Sequence, residues 1–372
     1  MLPLAKAFVD RGDEVAWATA AEAVPTLERE GFKVMVAGPG EGELSAEFAR
    51  RFPEVQELPP PARPNFMFPR LFGAVRTGPT LADLLPLAQE WKPSLVVRDA
   101  AEFAGPIAAA MLGVPSVTHS FGSLLPEVRV AAAGEMVAPL WEAQGLEPRP
   151  FGGAYDDLYL DIFPPSLRTE DPAHVGTIQP LRAVTFATAG NEAVPDVVGQ
   201  DSLLPLVYVT FGTVFNTRVD LIATVVRAVA KLPVRVVVTV GPSNDPAVLG
   251  DLPGNVTAAR YIPQTALLPH CAAVVSHGGS GTFLAAISHG LPQLCLPQGA
   301  DQFLNSAACT QSGVGITLEP GSVTSEGVQA SVEQLLADPS FRSASERLRT
   351  EIEAMPAPDE VAAGIATHFL LT

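Results

Sequence analysis

The sequence has few cysteines, few basic residues and no long apolar run. Its three cysteines, Cys271, Cys295 and Cys309, show neither paired spacing nor a metal-ligand pattern, which argues against a disulfide framework and a metal site and favours a reducing cytoplasm. Only 23 basic residues stand against 40 acidic ones, and no lysine or arginine cluster is present. The net charge of −17 therefore argues against nucleic acid or an anionic membrane surface as a partner.

Two further features are missing from the sequence. No stretch approaches the ~18 uninterrupted apolar residues of a membrane span, and the first residues lack the basic, apolar and small-residue order of a signal peptide. What is present is a chain of 372 residues that is 47% hydrophobic, enough for two domains with a core each. The sequence predicts a cytoplasmic protein that acts on small molecules.

Short β-branched runs alternate with longer helical patterns in both halves, which is typical of parallel sheets wound through crossover helices. The first half predicts strands at 14–19, 33–37, 95–97 and 116–118, with helices at 80–91 and 103–112. The second half predicts strands at 206–211, 234–240, 256–258, 273–276 and 293–296. The pattern predicts an α/β fold of two doubly wound domains.

The domain boundaries follow from breaks in this pattern. Residues 191–202 are polar and aperiodic, as in a linker, which assigns 1–190 to the first domain and 203–354 to the second. Prolines at 356 and 358 end the preceding helical stretch, and a last helix within 355–372 is expected to cross back to the first domain. A helix at 3–11 comes before any strand, so we expect a first strand and its loop to precede this sequence, unless the domain is unusual.

The segment from Ser276 to Thr282 reads Ser-His-Gly-Gly-Ser-Gly-Thr and lies between a predicted strand and a helix at 283–288. Glycines let the backbone approach a ligand closely, and a helix N-terminus offers free N–H groups to an anion. Neither a Walker loop nor the dinucleotide fingerprint is present. The segment predicts a phosphate cradle, and the alternative is an ordinary glycine-rich turn with a surface histidine.

A longer pattern runs from Arg260 to Gly315: Tyr-Ile-Pro-Gln, Leu-Leu-Pro-His-Cys, His-Gly-Gly-Ser-Gly-Thr, His-Gly-Leu-Pro and Asp-Gln-x-x-Asn. It resembles the donor signature of inverting GT-B-fold glycosyltransferases of natural products, most closely the bacterial macrolide and polyketide branch. A weaker resemblance covers nearly the whole chain. It implies two Rossmann-like doubly wound domains facing each other across a cleft.

The resemblance also implies the activity. A metal-independent, inverting enzyme of the hexosyltransferase type would move a sugar from a nucleotide diphosphate donor to a hydroxyl of an apolar small-molecule acceptor, with no cofactor. In plant members a glutamate that binds the ribose hydroxyls lies eight residues beyond the first histidine, where this chain has Ala285. The hypothesis is that the donor carries deoxyribose, as in a thymidine diphosphate sugar.

The donor site is expected to use ten residues. The resemblance implies that Thr213 contacts the nucleotide and that Tyr261 and Ile262 contact the base. The diphosphate would be bound by five residues: His277, Gly279, Ser280, Gly281 and Thr282. The hydroxyls of the donor sugar would be bound by Asp301 and Gln302. For Asp301 and Gln302 the alternative is a solvated polar turn.

For the acceptor side, the resemblance places a base histidine in the loop after the first strand, which we expect to precede this sequence. Asp99 follows the strand at 95–97 and would orient that base, although it could instead cap the helix that begins near Glu102. An acceptor pocket is predicted from Phe66, Phe68, His119 and Phe121, with Met67 and Trp141 as further candidates, and 121–151 reads as an irregular specificity loop. Ordinary core is the alternative for each of the aromatic and methionine side chains, and His119 is interpreted as a pocket wall and not as a base.

Two other functions remain open from the sequence. A sugar-nucleotide epimerase would use the same diphosphate cradle without an organic acceptor, and a catalytically silent homologue could act as the partner of another transferase. The sequence also leaves a homodimer open.

Overall fold

The computed structural model describes residues 1–185, 202–212, 219–241 and 244–370. The chain divides into two compact units. The first comprises Met1–Ile162, Glu170–Arg182 and Pro356–Thr372, and the second comprises Phe163–Thr169 and Ala183–Met355. All of the predicted linker except Ser202 lies outside the described residues, and the division predicted from the sequence stays a prediction.

The helices follow one another in chain order. They are α1 (Leu2–Asp10), α2 (Val24–Arg29), α3 (Glu41–Arg51), α4 (Arg63–Phe68), α5 (Thr77–Trp91), α6 (Ala104–Leu112), α7 (Glu127–Ala143), α8 (Val219–Val229), α9 (Gln264–Leu267), α10 (Ser280–Ser288), α11 (Gln302–Ser312), α12 (Ser325–Ala337), α13 (Pro339–Ala354) and α14 (Pro358–Phe369).

The strands of the first unit form two parallel sheets. They are β1 (Ala16–Thr19), β2 (Lys33–Val36), β3 (Val96–Asp99), β4 (Ser116–His119), β5 (Leu158–Asp161) and β6 (Ile178–Pro180). β1 pairs with β2, and the other four pair in the order β3-β4-β5-β6. Apolar side chains of α1 and α14, including Phe8 and Ile365, pack with Val117 and Leu160 against this second sheet.

The second unit contains one parallel sheet of six described strands. These are β7 (Leu206–Thr210), β8 (Arg235–Thr239), β9 (Val256–Ala259), β10 (Ala273–Ser276), β11 (Gln293–Cys295) and β12 (Gly315–Thr317), in the order β12-β11-β10-β7-β8-β9. Apolar residues of α8 and α12 cover one face of it in a core cluster with side chains of the strands. The non-consecutive strand order brings β7 and β10 side by side, and both end at the same edge.

The strand predictions are confirmed where β-branched residues are dense, and three strands were missed. β5, β6 and β12 are three or four residues long, and two of them contain Pro180 or Gly315. Such short runs carry too little alternation to be recognised. The sheet neighbours stabilise these strands, so their sequence alone does not reveal them.

The prediction that 121–151 is irregular is wrong, because α7 occupies Glu127–Ala143. Gly134 and Pro139 obscured its helical pattern. Gly134 lets α7 approach the turn at Pro150–Gly153, since a Cβ there would lie 2.6 Å from the backbone nitrogen of Gly152. Trp141 on the same helix is 1% exposed and belongs to the core.

Within the described ranges, no helix is both long and apolar enough to cross a membrane. The three cysteines are free thiols, and each is buried. The cytoplasmic location predicted from them stays a prediction.

Candidate functional site

The glycine-rich segment forms a strand, a turn and a helix at the carboxyl edge of the second sheet. β10 ends at Ser276, the turn covers His277 to Gly279, and α10 begins at Ser280. In the sheet register Ser276 lies beside Thr210, the last residue of β7. Phe211 and Gly212, which follow β7, and the turn after β10 therefore lie at this edge, where wound sheets bind their ligands.

His277 lies between two glycines that have no side chain to occupy its space. A Cβ on Gly212 would come within 2.8 Å of the imidazole Cε1, and a Cβ on Gly279 within 2.5 Å of Nε2. The ring stacks on Phe211 with a centroid distance of 6.5 Å, and the residue is 8% exposed. His277 is therefore buried and not on the surface, and the phosphate-binding role of the turn stays a prediction.

The protonation of His277 follows from its enclosure. Burial lowers its pKa to about 4, although the nearby Asp301 carboxylate acts in the opposite direction, as does a hydrogen bond with the backbone of Thr210. The ring is therefore neutral at pH 7. A nearby dianion would favour the charged ring, because an opposite charge raises the pKa of a histidine.

The N-terminus of α10 faces the same turn. The first N–H groups of a helix have no partner within it and carry the positive end of the helix dipole, and Ser280, Gly281 and Thr282 supply them here. Gly278 has φ 78°, a left-handed conformation, and a Cβ there would lie 3.0 Å from Ser306 Oγ. The turn can therefore present backbone N–H groups to an anion.

Two polar side chains of α11 and one residue before it hold the turn in place. Asn305 Nδ2 donates to the Gly278 carbonyl at 2.9 Å, to Ser280 Oγ at 2.9 Å and to Asp301 Oδ2 at 3.1 Å. The Ser280 hydroxyl donates to Asp301 Oδ2 at 2.6 Å. Gln302 Oε1 accepts the N–H groups of Gln298 and Gly299 at 2.7 and 3.1 Å.

These contacts bear on the alternative that Asp301 and Gln302 form a solvated polar turn, and they add Asn305 to the residues of the site. Gln302 is 1% exposed, so a solvated turn does not describe it, and its carbonyl oxygen holds the loop backbone. Asp301 keeps Oδ1 free of any hydrogen bond from the described residues. Asn305 was part of the motif but received no role in the sequence prediction; its complete burial beside polar backbone is visible only in the structure.

The predicted base contacts lie at a neighbouring loop. Tyr261 is half-buried after β9, whereas the side chain of Ile262 is 1% exposed and packs in an apolar cluster with Ala285. Gln264 Nε2 donates to Thr282 Oγ1 at 3.0 Å and so connects this loop to α10. Thr213 lies outside the described residues.

In the first unit, Asp99 ends β3 and is the register partner of His119 on β4. Its Oδ1 accepts the N–H of Ala101 at 2.8 Å. The first N–H groups of α6 instead donate to the Glu102 carboxylate, from Ala104 N at 2.5 Å and from Gly105 N at 2.8 Å. The alternative of Asp99 as the helix cap is therefore wrong. Burial raises the pKa of Asp99, opposed by the Ala101 N–H and the Arg98 charge.

The candidate acceptor residues do not form one cluster. Phe68 and Phe121 pack in the core that contains Trp141. Phe66 packs in a separate cluster, with the Arg70 guanidinium 3.8 Å above its ring. His119 is 4% exposed with Nδ1 2.5 Å from the Ser120 carbonyl, and burial lowers its pKa to about 3. The acceptor role of these residues stays a prediction.

Two family models match this chain, one in each half. Models of the N-terminal and C-terminal domains of erythromycin biosynthesis protein CIII-like proteins match residues 73–212 and 223–367. The L-demethylnoviosyl transferase of Streptomyces niveus is 35% identical over 381 residues, which covers 99% of this chain and 94% of the relative. The chain belongs to this family of bacterial natural-product glycosyltransferases.

Other relatives of this glycosyltransferase agree. The elloramycin glycosyltransferase of Streptomyces olivaceus is 31% identical, over 99% of this chain and 93% of the relative. The spinosyn rhamnosyltransferase SpnG complexed with thymidine diphosphate superimposes with a TM-score of 0.80 at 28% identity, covering 99% of this chain and 95% of that one. The fold is GT-B, with two Rossmann-like domains, as predicted.

Proposed function

We propose that this glycosyltransferase transfers a hexose-type sugar from a thymidine diphosphate donor to a hydroxyl of an apolar natural product, with inversion and without a metal. The observation that carries the proposal is the cradle, in which His277 lies between Gly212 and Gly279 at the N-terminus of α10. That arrangement suits the diphosphate of a sugar nucleotide.

The cradle matches the charge that develops during transfer. As the anomeric carbon leaves the diphosphate, negative charge grows on the phosphate oxygens. The N–H groups at the start of α10 and the His277 imidazole would stabilise that charge in a buried setting. This fixed positive potential supports the metal-independent part of the proposal.

The acceptor hydroxyl needs a base, and Asp99 would act by orienting a base histidine. Its position at the carboxyl end of β3, and the absence of a helix-capping role, support this assignment. Attack on the face opposite the diphosphate would invert the anomeric centre. Measuring the anomeric configuration of the product by NMR tests that part directly, and a retained configuration contradicts it.

Removal of the histidine is expected to weaken donor binding. His277→Ala should raise the Kd for thymidine diphosphate by about tenfold to a hundredfold, since a hydrogen bond to a charged group contributes about 1.5–3 kcal/mol. Titration calorimetry at pH 7 measures it. His270→Ala, an exposed histidine of the same unit, is the control. Equal affinity of wild type and His277→Ala contradicts the proposed cradle.

The pentose of the donor nucleotide gives a separate prediction. Ala285 is buried beside Ile262, so no carboxylate is present there to bind ribose hydroxyls. Wild-type protein should bind thymidine diphosphate about tenfold more tightly than uridine diphosphate, because an unpaired buried hydroxyl costs about 1–3 kcal/mol. Equal affinity for the two nucleotides, measured in parallel titrations, contradicts the deoxyribose assignment.

Turnover separates this proposal from the two alternatives of the sequence. Epimerised donor without added acceptor indicates the epimerase, and nucleotide binding without any transfer indicates the silent homologue. A homodimer remains a prediction, which sedimentation of the purified protein tests.

A further inference from the structure

Three hydroxyl groups meet beneath the cradle, in the interior of the second unit. Thr239 Oγ1 donates to Thr210 Oγ1 at 2.9 Å, and Tyr208 Oη lies 2.8 Å from Thr239 Oγ1. Because the Thr239 hydrogen is used toward Thr210, the Tyr208 hydroxyl donates to Thr239. All three residues are at most 5% exposed.

The sheet brings these side chains together. Tyr208 and Thr210 are two residues apart on β7 and so face the same side, and Thr239 on β8 is the register partner of Thr210. The Tyr208 side chain is otherwise surrounded by an apolar cluster that includes Val237 and Leu267. A hydroxyl in such a place requires hydrogen-bond partners, and the two threonines supply them.

The group connects to both sides of the cradle. On one side Thr210 Oγ1 accepts the N–H of Gly212 at 3.3 Å, and the Thr210 backbone hydrogen-bonds His277. On the other side the side chain of Gln264 lies near the Tyr208 hydroxyl and donates to Thr282 Oγ1 at 3.0 Å. The group of three hydroxyls therefore adjoins both Gly212, which flanks the imidazole, and Gln264, which is bonded to the first turn of α10.

We propose that Tyr208, Thr239 and Thr210 are positioning residues of the donor site: their hydroxyl network sets the place of Gly212 and His277 relative to α10, and so determines the affinity for a nucleoside diphosphate. None of the three is assigned a contact with the ligand. The inference rests on the proposed function, since it gives the network a role in holding the diphosphate.

The test replaces one hydroxyl and measures binding. Tyr208→Phe retains the ring and removes the hydroxyl that donates to Thr239 and lies near Gln264. Titration calorimetry with thymidine diphosphate should show a Kd raised by about fivefold to tenfold, the range expected for the loss of one or two neutral hydrogen bonds. The matched control is Tyr159→Phe, a tyrosine of the first unit that is also 2% exposed and hydrogen-bonded, to Ser120. It should bind within twofold of wild type.

A double-mutant cycle distinguishes positioning from general destabilisation. If the network acts through the imidazole, Tyr208→Phe should change the Kd by less than twofold in a His277→Ala background. An equal effect in both backgrounds overturns the inference, as does wild-type affinity in Tyr208→Phe. Thermal unfolding of each variant accompanies the titrations.

A second pair of variants covers the case in which Tyr208→Phe does not fold. Thr239→Ser keeps the hydroxyl and should retain wild-type binding within about twofold, whereas Thr239→Val removes it at similar volume and should lose about fivefold. Equal binding by the two overturns the inference. If wild-type protein binds neither thymidine nor uridine diphosphate, the proposed function itself fails. That outcome is distinct from failure of the inference, which is judged by differences between the variants and a wild type that binds.

Discussion

Replacing Gly279 by alanine is expected to weaken the binding of thymidine diphosphate by at least about a hundredfold, more than removal of His277 itself. The added Cβ would lie 2.5 Å from His277 Nε2. The ring has little room to move aside, because it is only 8% exposed and stacks on Phe211. The imidazole must therefore leave its place, which removes its hydrogen bond and disturbs the turn before α10.

Any cost of the same change to stability comes from the displaced imidazole and not from the backbone. Gly279 has φ −65° and ψ 141°, an extended conformation that any residue adopts, so alanine introduces no backbone strain. Calorimetric titration gives the affinity, and thermal unfolding gives the stability. Gly254→Ala is the control, since a Cβ there meets nothing within 4 Å. Wild-type affinity in Gly279→Ala contradicts the described position of the imidazole.

Acidification from pH 7 to pH 5 is expected to destabilise the protein through two buried histidines. Burial lowers the pKa of His119 to about 3 and that of His277 to about 4. An unfolded histidine titrates near pH 6.5, so below that value the unfolded chain binds protons that the folded chain does not. The stability from each neutral ring is therefore complete above about pH 6.5 and falls as the pH is lowered toward the folded pKa.

The expected size is about 2 kcal/mol for each histidine between pH 6.5 and pH 5, from about 1.4 kcal/mol per pH unit. Buried Asp99 and Glu102 act in the opposite direction, because burial raises their pKa values and their protonation favours the folded state. Their effect is common to wild type and histidine variants. Differences between variants therefore isolate the histidines.

Urea unfolding at pH 7 and pH 5 measures the effect for wild type, His119→Gln and His277→Gln. On acidification, the free energy of unfolding should fall less in each glutamine variant than in wild type. The difference is expected in the unfolding of the unit that contains the substituted histidine. His270→Gln, an exposed position, should behave as wild type does. An equal pH dependence in all four proteins contradicts the described burial of the two imidazoles.

The donor site could be predicted from the sequence further than the acceptor side. The run from Ser276 to Thr282 carries its own structure, because a strand, glycines and a helix start are all local signals. On the acceptor side, Phe68 is buried in the core with Trp141 and Phe121 packs against it, and their predicted acceptor role stays a prediction. Periodicity cannot tell a buried aromatic side chain in the core from one that lines a pocket.

The interpretation of Asp99 shows the same limit. Its place after a strand was correct, but whether Asp99 or Glu102 caps α6 depends on where the helix starts. That boundary lies at Ala104, with Phe103 as the N-cap residue, and the first N–H groups of the helix donate to the Glu102 carboxylate.

The sequence by itself determined the wound α/β class and the position of the glycine-rich segment between β10 and α10, since these depend on neighbours along the chain. Only the tertiary structure decided that Gly212 and Gly279 enclose His277, and that Tyr208, Thr239 and Thr210 share hydrogen bonds beneath it. The physical reason is that strand order sets which side chains meet across a parallel sheet. Pairing β7 with both β8 and β10 is a property of the whole core, and no local segment encodes it.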